Sequence, residues 1–146
     1  MKNFLAICIL VIITFVTIKA AKAEAHKCVS ADCKAVAQAL YFEARGEGQQ
    51  GMHAVANVIM NRTKTRGISP RAVVSQPRQF SYRTRKDLSM REHVAAQRAH
   101  DIAYKATTGK LTDITGGATF FRTVSSGSWK GLKRTVRIGS HHFFKK

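Results

Sequence analysis

The stretch that decides the fold is Cys33-Lys34-Ala35-Val36-Ala37-Gln38-Ala39-Leu40-Tyr41-Phe42-Glu43-Ala44-Arg45-Gly46-Glu47-Gly48, continued by Gly51-Met52-His53-Ala54-Val55-Ala56-Asn57-Val58-Ile59-Met60-Asn61-Arg62. In its first half Cys33, Val36, Ala37, Leu40, Tyr41 and Ala44 recur with the period of a half-buried helix, and Ser30 stands where an N-cap belongs. Gly46 and Gly48 break that period. Met52, Val55, Ala56, Ile59 and Met60 then restart it, which predicts a second amphipathic helix ending near Arg66-Gly67, with basic residues in its last turn and glycine beyond.

Downstream, Ser69-Pro70 predicts a cap and first-turn proline for a short helix through Val74, closed by Pro77. Gln79-Phe80-Ser81-Tyr82 reads as a loop. Ser89 to Glu92 has capping-box spacing, and Ala95, Ala99, Ile102, Ala103 and Ala106 form the narrow small-residue stripe of a third long helix ending at Gly109. After Gly116-Gly117 the pattern changes. Ala118 to Val124 is β-branched and aromatic, Thr135 to Ile138 alternates, and two or three short strands are the economical reading. The expected architecture is α+β: a helical lobe followed by a short antiparallel sheet, with a groove between them.

Upstream, Lys2, an apolar run from Phe4 to Ile18, and Ala21-Lys22-Ala23 have the layout of a secretory signal peptide over residues 1–23, with cleavage after Ala23 or Ala25. Residues 24–146 then form one domain. The apolar run falls short of the ~20 residues that span a bilayer, a retained anchor being the alternative. Cys8 would leave with the leader, and Cys28 and Cys33 remain as an even pair in an oxidising compartment, either a small disulfide loop or two free thiols. The expected location is secreted or periplasmic.

Of 146 residues, 25 are Lys or Arg and 8 are Asp or Glu, a net charge of +17, and the mature chain stays strongly cationic. Such a field attracts nucleic acid, anionic membrane or the carboxylate-bearing polymers of a bacterial wall, and export removes nucleic acid from the expected partners. Beyond Ala25 the acidic residues are Asp32, Glu43, Glu47, Asp87, Glu92, Asp101 and Asp113. Asp32 falls in a first helical turn, Glu92 in the capping box, Asp87 and Asp113 in turns, and Asp101 on a polar helix face. Glu43 and Glu47 are left.

Glu43 projects to the edge of the apolar stripe, where desolvation raises a carboxyl pKa and suits it to donate a proton; the residue pattern leaves open a helix-edge Glu paired with Arg or Lys. Residues four apart on a helix have Cβ atoms ~5 to 6 Å apart, close to the spacing of retaining glycosidases, but neighbours on one helical face cannot easily flank a scissile bond from opposite sides.

The blocks Ala39 to Gly48, Gly51 with Ala54 to Arg62, Gln79-Phe80-Ser81, Thr115 to Phe121, and Arg137-Ile138-Gly139 followed by His142, taken in order, resemble the SleB-like cell-wall hydrolases, the family of spore-cortex-lytic enzymes. The resemblance implies a small lysozyme-like domain cleaving peptidoglycan between N-acetylmuramic acid and N-acetylglucosamine as a lytic transglycosylase. It implies Glu43 as the catalytic acid and then base, with no metal and no cofactor. Glu47 becomes an orienting or electrostatic residue beside the site.

Supporting candidates follow the same blocks. Gln79 and Ser81 are candidates to hydrogen-bond sugar groups, Phe80 to stack on a pyranose or to anchor its loop, and Phe120 to line the substrate. Gly116 and Gly117 would let backbone approach the glycan or make a tight turn; Asn61 would orient the groove or bond to backbone. Trp129 is a candidate for sugar stacking or for packing. Phe42 departs from the family pattern, which often has a small or polar residue there, and is expected to alter the subsite next to the acid. The alternatives to this monomeric enzyme are an N-acetylmuramoyl-L-alanine amidase, although no HExxH motif or comparable histidine set is present, and a non-catalytic cationic binder of wall or membrane.

Overall fold

The computed structural model describes residues 28–146, so the expected leader and Cys8 lie outside the described residues. Cys28 and Cys33 are joined as a disulfide, with Cα atoms 5.1 Å apart. Immediately inside that loop the Ser30 hydroxyl accepts the Cys33 N–H, and α1 runs over Ala31–Ala44. Its stripe, Val36, Ala37, Leu40, Tyr41 and Ala44, is fully buried. A single 3-10 turn, Arg45–Glu47, carries the chain into α2, Gly48–Arg66, which stops at Gly67 in the left-handed conformation with φ 64°. The short α3, Pro70–Ser75, is capped by the Ser69 hydroxyl at the Ala72 N–H as its sequence predicts.

α4 spans His93–Thr107 and packs its alanine stripe against α1. The expected capping box does not form. Glu92 occupies the cap position itself; its carboxylate pairs with Arg45 Nε at 2.7 Å and its N–H donates to the Tyr41 hydroxyl at 3.1 Å. Ser89 N–H is taken by Asp87 instead. Tertiary partners outcompete the local motif because the ion pair and the phenol reach the segment from α1 and the turn after it.

β1 (Phe120–Thr123), β2 (Lys133–Ile138) and β3 (His141–Lys145) form an antiparallel sheet in the order β1-β3-β2. Phe120 faces Phe144 and Phe121 faces Phe143 across β1 and β3, while an irregularity between Arg134 and Val136 shifts the β2 register. Gly139-Ser140 is the whole β2–β3 connection, with Gly139 at φ 57°. Such a two-residue hairpin loop needs a residue that tolerates positive φ.

What positions the site is α2, because it is buried on two sides. Met52, Val55, Ala56 and Ile59 join the main helical core. Ala54 and Val58 instead join Ala118, Ile138 and Phe143 in a smaller cluster that fastens the sheet to the helices. Three polar side chains on α2 hold the segment entering β1. Asn57 donates to the Thr112 carbonyl and accepts the Ile114 N–H, Asn61 donates to Asp113 Oδ2 and the Ala118 carbonyl, and Arg62 Nε donates to the Thr119 carbonyl at 2.7 Å. Among the described residues no helix is long and apolar enough to cross a membrane.

Candidate active site

Glu43 lies in the last turn of α1, half-buried, with Oε1 shielded from solvent and without a hydrogen-bond partner among the described residues. Burial disfavours the carboxylate and raises the pKa. The Tyr82 and Ser81 N–H groups, the Ser81 hydroxyl and the Arg85 charge pull the other way and are outweighed. The rim beside it is the 3-10 turn Ser81–Thr84. Its anchors are Phe80 and Tyr82, 3% and 2% exposed. Phe42 stacks on Tyr82 with centroids 5.3 Å apart, so the residue that departs from the family pattern clamps this turn beside the acid.

The carboxyl opens on a cleft of about 440 Å³ between the lobes. Gln79 and Ser81 border it on one side and Phe120, Phe121 and Trp129 on the other, with Arg62, Arg66 and Arg78 completing the wall. Five expected residues therefore meet there: Glu43, Gln79, Ser81, Phe120 and Trp129. A larger hollow of about 560 Å³ along the outer face of α4 shares no residue with it, and the Asp101 carboxylate there accepts the Gln97 amide at 3.1 Å.

Other expectations need correction. Phe80 offers no stacking face, because its ring is consumed in the core beneath the loop, under the Arg62 guanidinium 5.7 Å away. Asn61 is spent on Asp113 and the Ala118 carbonyl and does not line the cleft. Gly116 and Gly117 make the tight turn, at φ 66° and 80°, where Asp113 accepts the Gly117 N–H at 2.9 Å. Trp129, 38% exposed, packs edge-on to Phe120 and Phe144 while keeping a face on the cleft.

Glu47 is outside the cleft wall and fully engaged. Its Oε2 accepts the Ser140 N–H at 2.8 Å and its Oε1 accepts the Ser140 hydroxyl. Those hydrogen bonds hold its pKa below the ordinary carboxylate value, with the nearby His141 acting in the same direction. A Cβ at Gly51 would sit 2.2 Å from Glu47 Cβ, and one at Gly139 would sit 2.1 Å from Oε2. Two glycines thus make the cradle through which this carboxylate ties the start of α2 to the β2–β3 turn.

Sequence reasoning missed Arg62, Arg66, Arg78 and Phe121. Arg62 closes the Asn61-Arg62 block, Arg78 adjoins Gln79 and Phe121 ends the Thr115 to Phe121 block, so proximity to motif blocks was an available signal; Arg66 lies in no block. Among the described residues no three His, Cys, Asp or Glu side chains gather in a group that could hold a metal ion.

Comparison with known proteins gives the family and the fold. The family described as cell wall hydrolase matches residues 46–144. The chain belongs to this family. A spore cortex-lytic enzyme of Halalkalibacterium halodurans is 35% identical over 117 residues, which cover 77% of this chain and 34% of that enzyme. The chain therefore spans about a third of the curated relative's length. Two solved structures share the fold: the catalytic domain of the germination-specific lytic transglycosylase SleB from Bacillus anthracis and that of the Bacillus cereus SleB protein. Each has a TM-score of 0.60 and 27% identity over 78% of this chain, covering 93% and 89% of those domains respectively.

Proposed function

We propose that this cell wall hydrolase is a lytic transglycosylase that cuts the glycan strand of peptidoglycan, outside the cytoplasm, between N-acetylmuramic acid and N-acetylglucosamine. The observation that carries the reading is the Glu43 carboxyl, half-buried, with an unpartnered oxygen and a raised pKa, at the wall of the interlobe cleft. Glu43 precedes the residues that the family match covers, so its role rests on that geometry and on the motif around it.

A desolvated carboxylic acid is still partly protonated at pH values where an exposed one is not, and can give that proton to the bridging glycosidic oxygen. The bond from the muramyl C1 to that oxygen breaks and the oxygen leaves as a hydroxyl on the neighbouring sugar. The Glu43 carboxylate then takes the proton of the muramyl 6-hydroxyl as its oxygen bonds to C1, closing a 1,6-anhydro ring. The acid is regenerated and no water is consumed. Ser81, whose hydroxyl faces Glu43, and Gln79 would orient sugar polar groups, and Trp129 and Phe120 would present ring surface to a pyranose.

Digestion of purified peptidoglycan by the parent protein and by Glu43→Gln, with products read by mass spectrometry, tests this. Anhydro-ended fragments, lighter by one water than hydrolytic ones, are expected from the parent and none from the variant. Activity retained by Glu43→Gln overturns the assignment. Free peptides released from intact glycan would instead mark an amidase, and binding without any product a cationic wall binder.

A further inference from the structure

The Glu43 cleft does not end at Arg66 and Phe120. Both residues also line an adjoining hollow of about 350 Å³ with Gly117, Thr119, Lys145 and Lys146, so the two spaces form one groove across the lobe junction. Its charge is one-sided. Three arginines and two lysines line it, and Glu43 is the single acidic side chain among the lining residues.

Arg62 combines a structural hydrogen bond with a donor left over. Arg62 is only 6% exposed, held by Nε on the Thr119 carbonyl and flanked by the Phe80 and Phe120 rings, and its Nη1 has no hydrogen-bond partner among the described residues. A buried guanidinium nitrogen without an acceptor is costly unless a ligand completes it. Arg66 stands one helical turn from Arg62, a like-charge pair, and its guanidinium meets only the neutral Gln76 amide oxygen. Arg78 is the non-glycine residue with positive φ among those described, 60°, a backbone state that concentrates at ligand-binding positions. No described carboxylate forms an ion pair with any of the three.

We propose that this groove contains a carboxylate subsite, in which Arg62, Arg66 and Arg78 hold an anionic substituent of the glycan while Glu43 acts on the neighbouring bond. This rests on the glycan-cleaving reading above. Two sources carry the chemistry: the lactyl carboxylate of a muramic acid bearing no peptide, and the free carboxylates of a stem peptide. Either fits a planar guanidinium fork, which binds carboxylate through paired N–H donors. The lysines extend the field along the groove without geometric selection.

The test is calorimetric binding to the full chain carrying Glu43→Gln, which leaves the ligand uncut. The probes are peptide-stripped muramyl oligosaccharides and peptide-bearing disaccharides, each beside its carboxyl-amidated form. At low salt the acid form of at least one probe should bind about tenfold tighter than its amide, the scale of one charge-assisted hydrogen-bonded pair. Whichever probe shows the preference identifies the source. Adding Arg66→Gln and Arg78→Gln, both at exposed positions, should bring the ratio near one while thermal melting stays unchanged.

Equal affinity for acid and amide with both probes overturns the subsite, as does a preference that survives the double substitution. The parent protein's digestion of peptidoglycan is read separately. Cleavage without carboxylate preference removes the subsite and leaves the lytic reading, whereas an arginine-dependent preference without cleavage does the reverse.

Discussion

Glu43 and Glu47 lie four residues apart, one in the last turn of α1 and one in the 3-10 turn that follows, yet their surroundings make them opposites. Around Glu47 both oxygens have a partner: Ser140 donates to each, and a side chain at Gly51 or Gly139 would collide with Glu47. Around Glu43 the protein removes water and supplies no close partner for Oε1. The pKa values separate accordingly, upward by burial for Glu43 and downward by hydrogen bonding for Glu47. Residue type and helical spacing are therefore poor guides to which of two acids reacts; the account of each lone pair decides.

Several substitutions would break or sharpen that contrast. The largest effect is expected at Glu43: Glu43→Gln should lower the rate of glycan cleavage by about 10²- to 10⁴-fold, the range of a lost general acid, with a native circular dichroism spectrum. The parent's rate should also fall as pH rises through the raised Glu43 pKa, since the acid form does the protonation. A pH profile without that alkaline limb would remove Glu43 from the protonation step.

Next comes the cradle. Gly51→Ala places a methyl 2.2 Å from Glu47 Cβ, an atom that cannot swing away, and should cost about 1–3 kcal/mol of stability in a denaturant melt. An unchanged midpoint would mean that the α2 start is looser than its packing indicates.

Glu47→Gln should cost less, about 1 kcal/mol after allowance for solvent screening, because the carboxylate is mostly solvated. The sign of its pH dependence is set by the lowered pKa. The stabilisation is present above the ordinary carboxylate range and is lost as pH falls through the folded value, so acid titration of the parent should show a limb that Glu47→Gln lacks.

The smallest effect is the reverse in sign. Glu43's raised pKa means that ionised Glu43 burdens the fold, the burden arising as pH climbs through that value. Glu43→Gln should therefore raise the melting temperature at neutral pH by about 1–2 °C, and a lower one would show the carboxylate to be structurally paired.

Much of the helical lobe was legible in the sequence. The stripes of α1 and α4, the Ser30 and Ser69 caps and the glycine stop after Arg66 are local signals, and each forms as read. Where a distant partner intervenes, the local reading fails: Glu92 abandons its capping box for Arg45, and Phe80 turns from the cleft into the core. α2 was read as one-faced because the period counts only one stripe, whereas Ala54 and Val58 belong to a second cluster that exists only once the sheet docks. Within the candidate site, Glu43, Gln79, Ser81, Phe120 and Phe121 stood in recognisable blocks, while Arg66 lay outside every block.

Chain chemistry alone settled the order of the elements and narrowed the acids to two candidates, because periodicity, caps and turns depend on neighbours a few residues away. Which acid is free, and which cations share its groove, depended on contacts between segments far apart in the chain. Ser140 reaches Glu47 across 93 positions, and the Glu43 carboxyl meets the Ser81 and Tyr82 backbone from a loop some forty residues away. Desolvation and hydrogen-bond satisfaction are properties of the assembled surface, so they came into being only when the two lobes closed on each other.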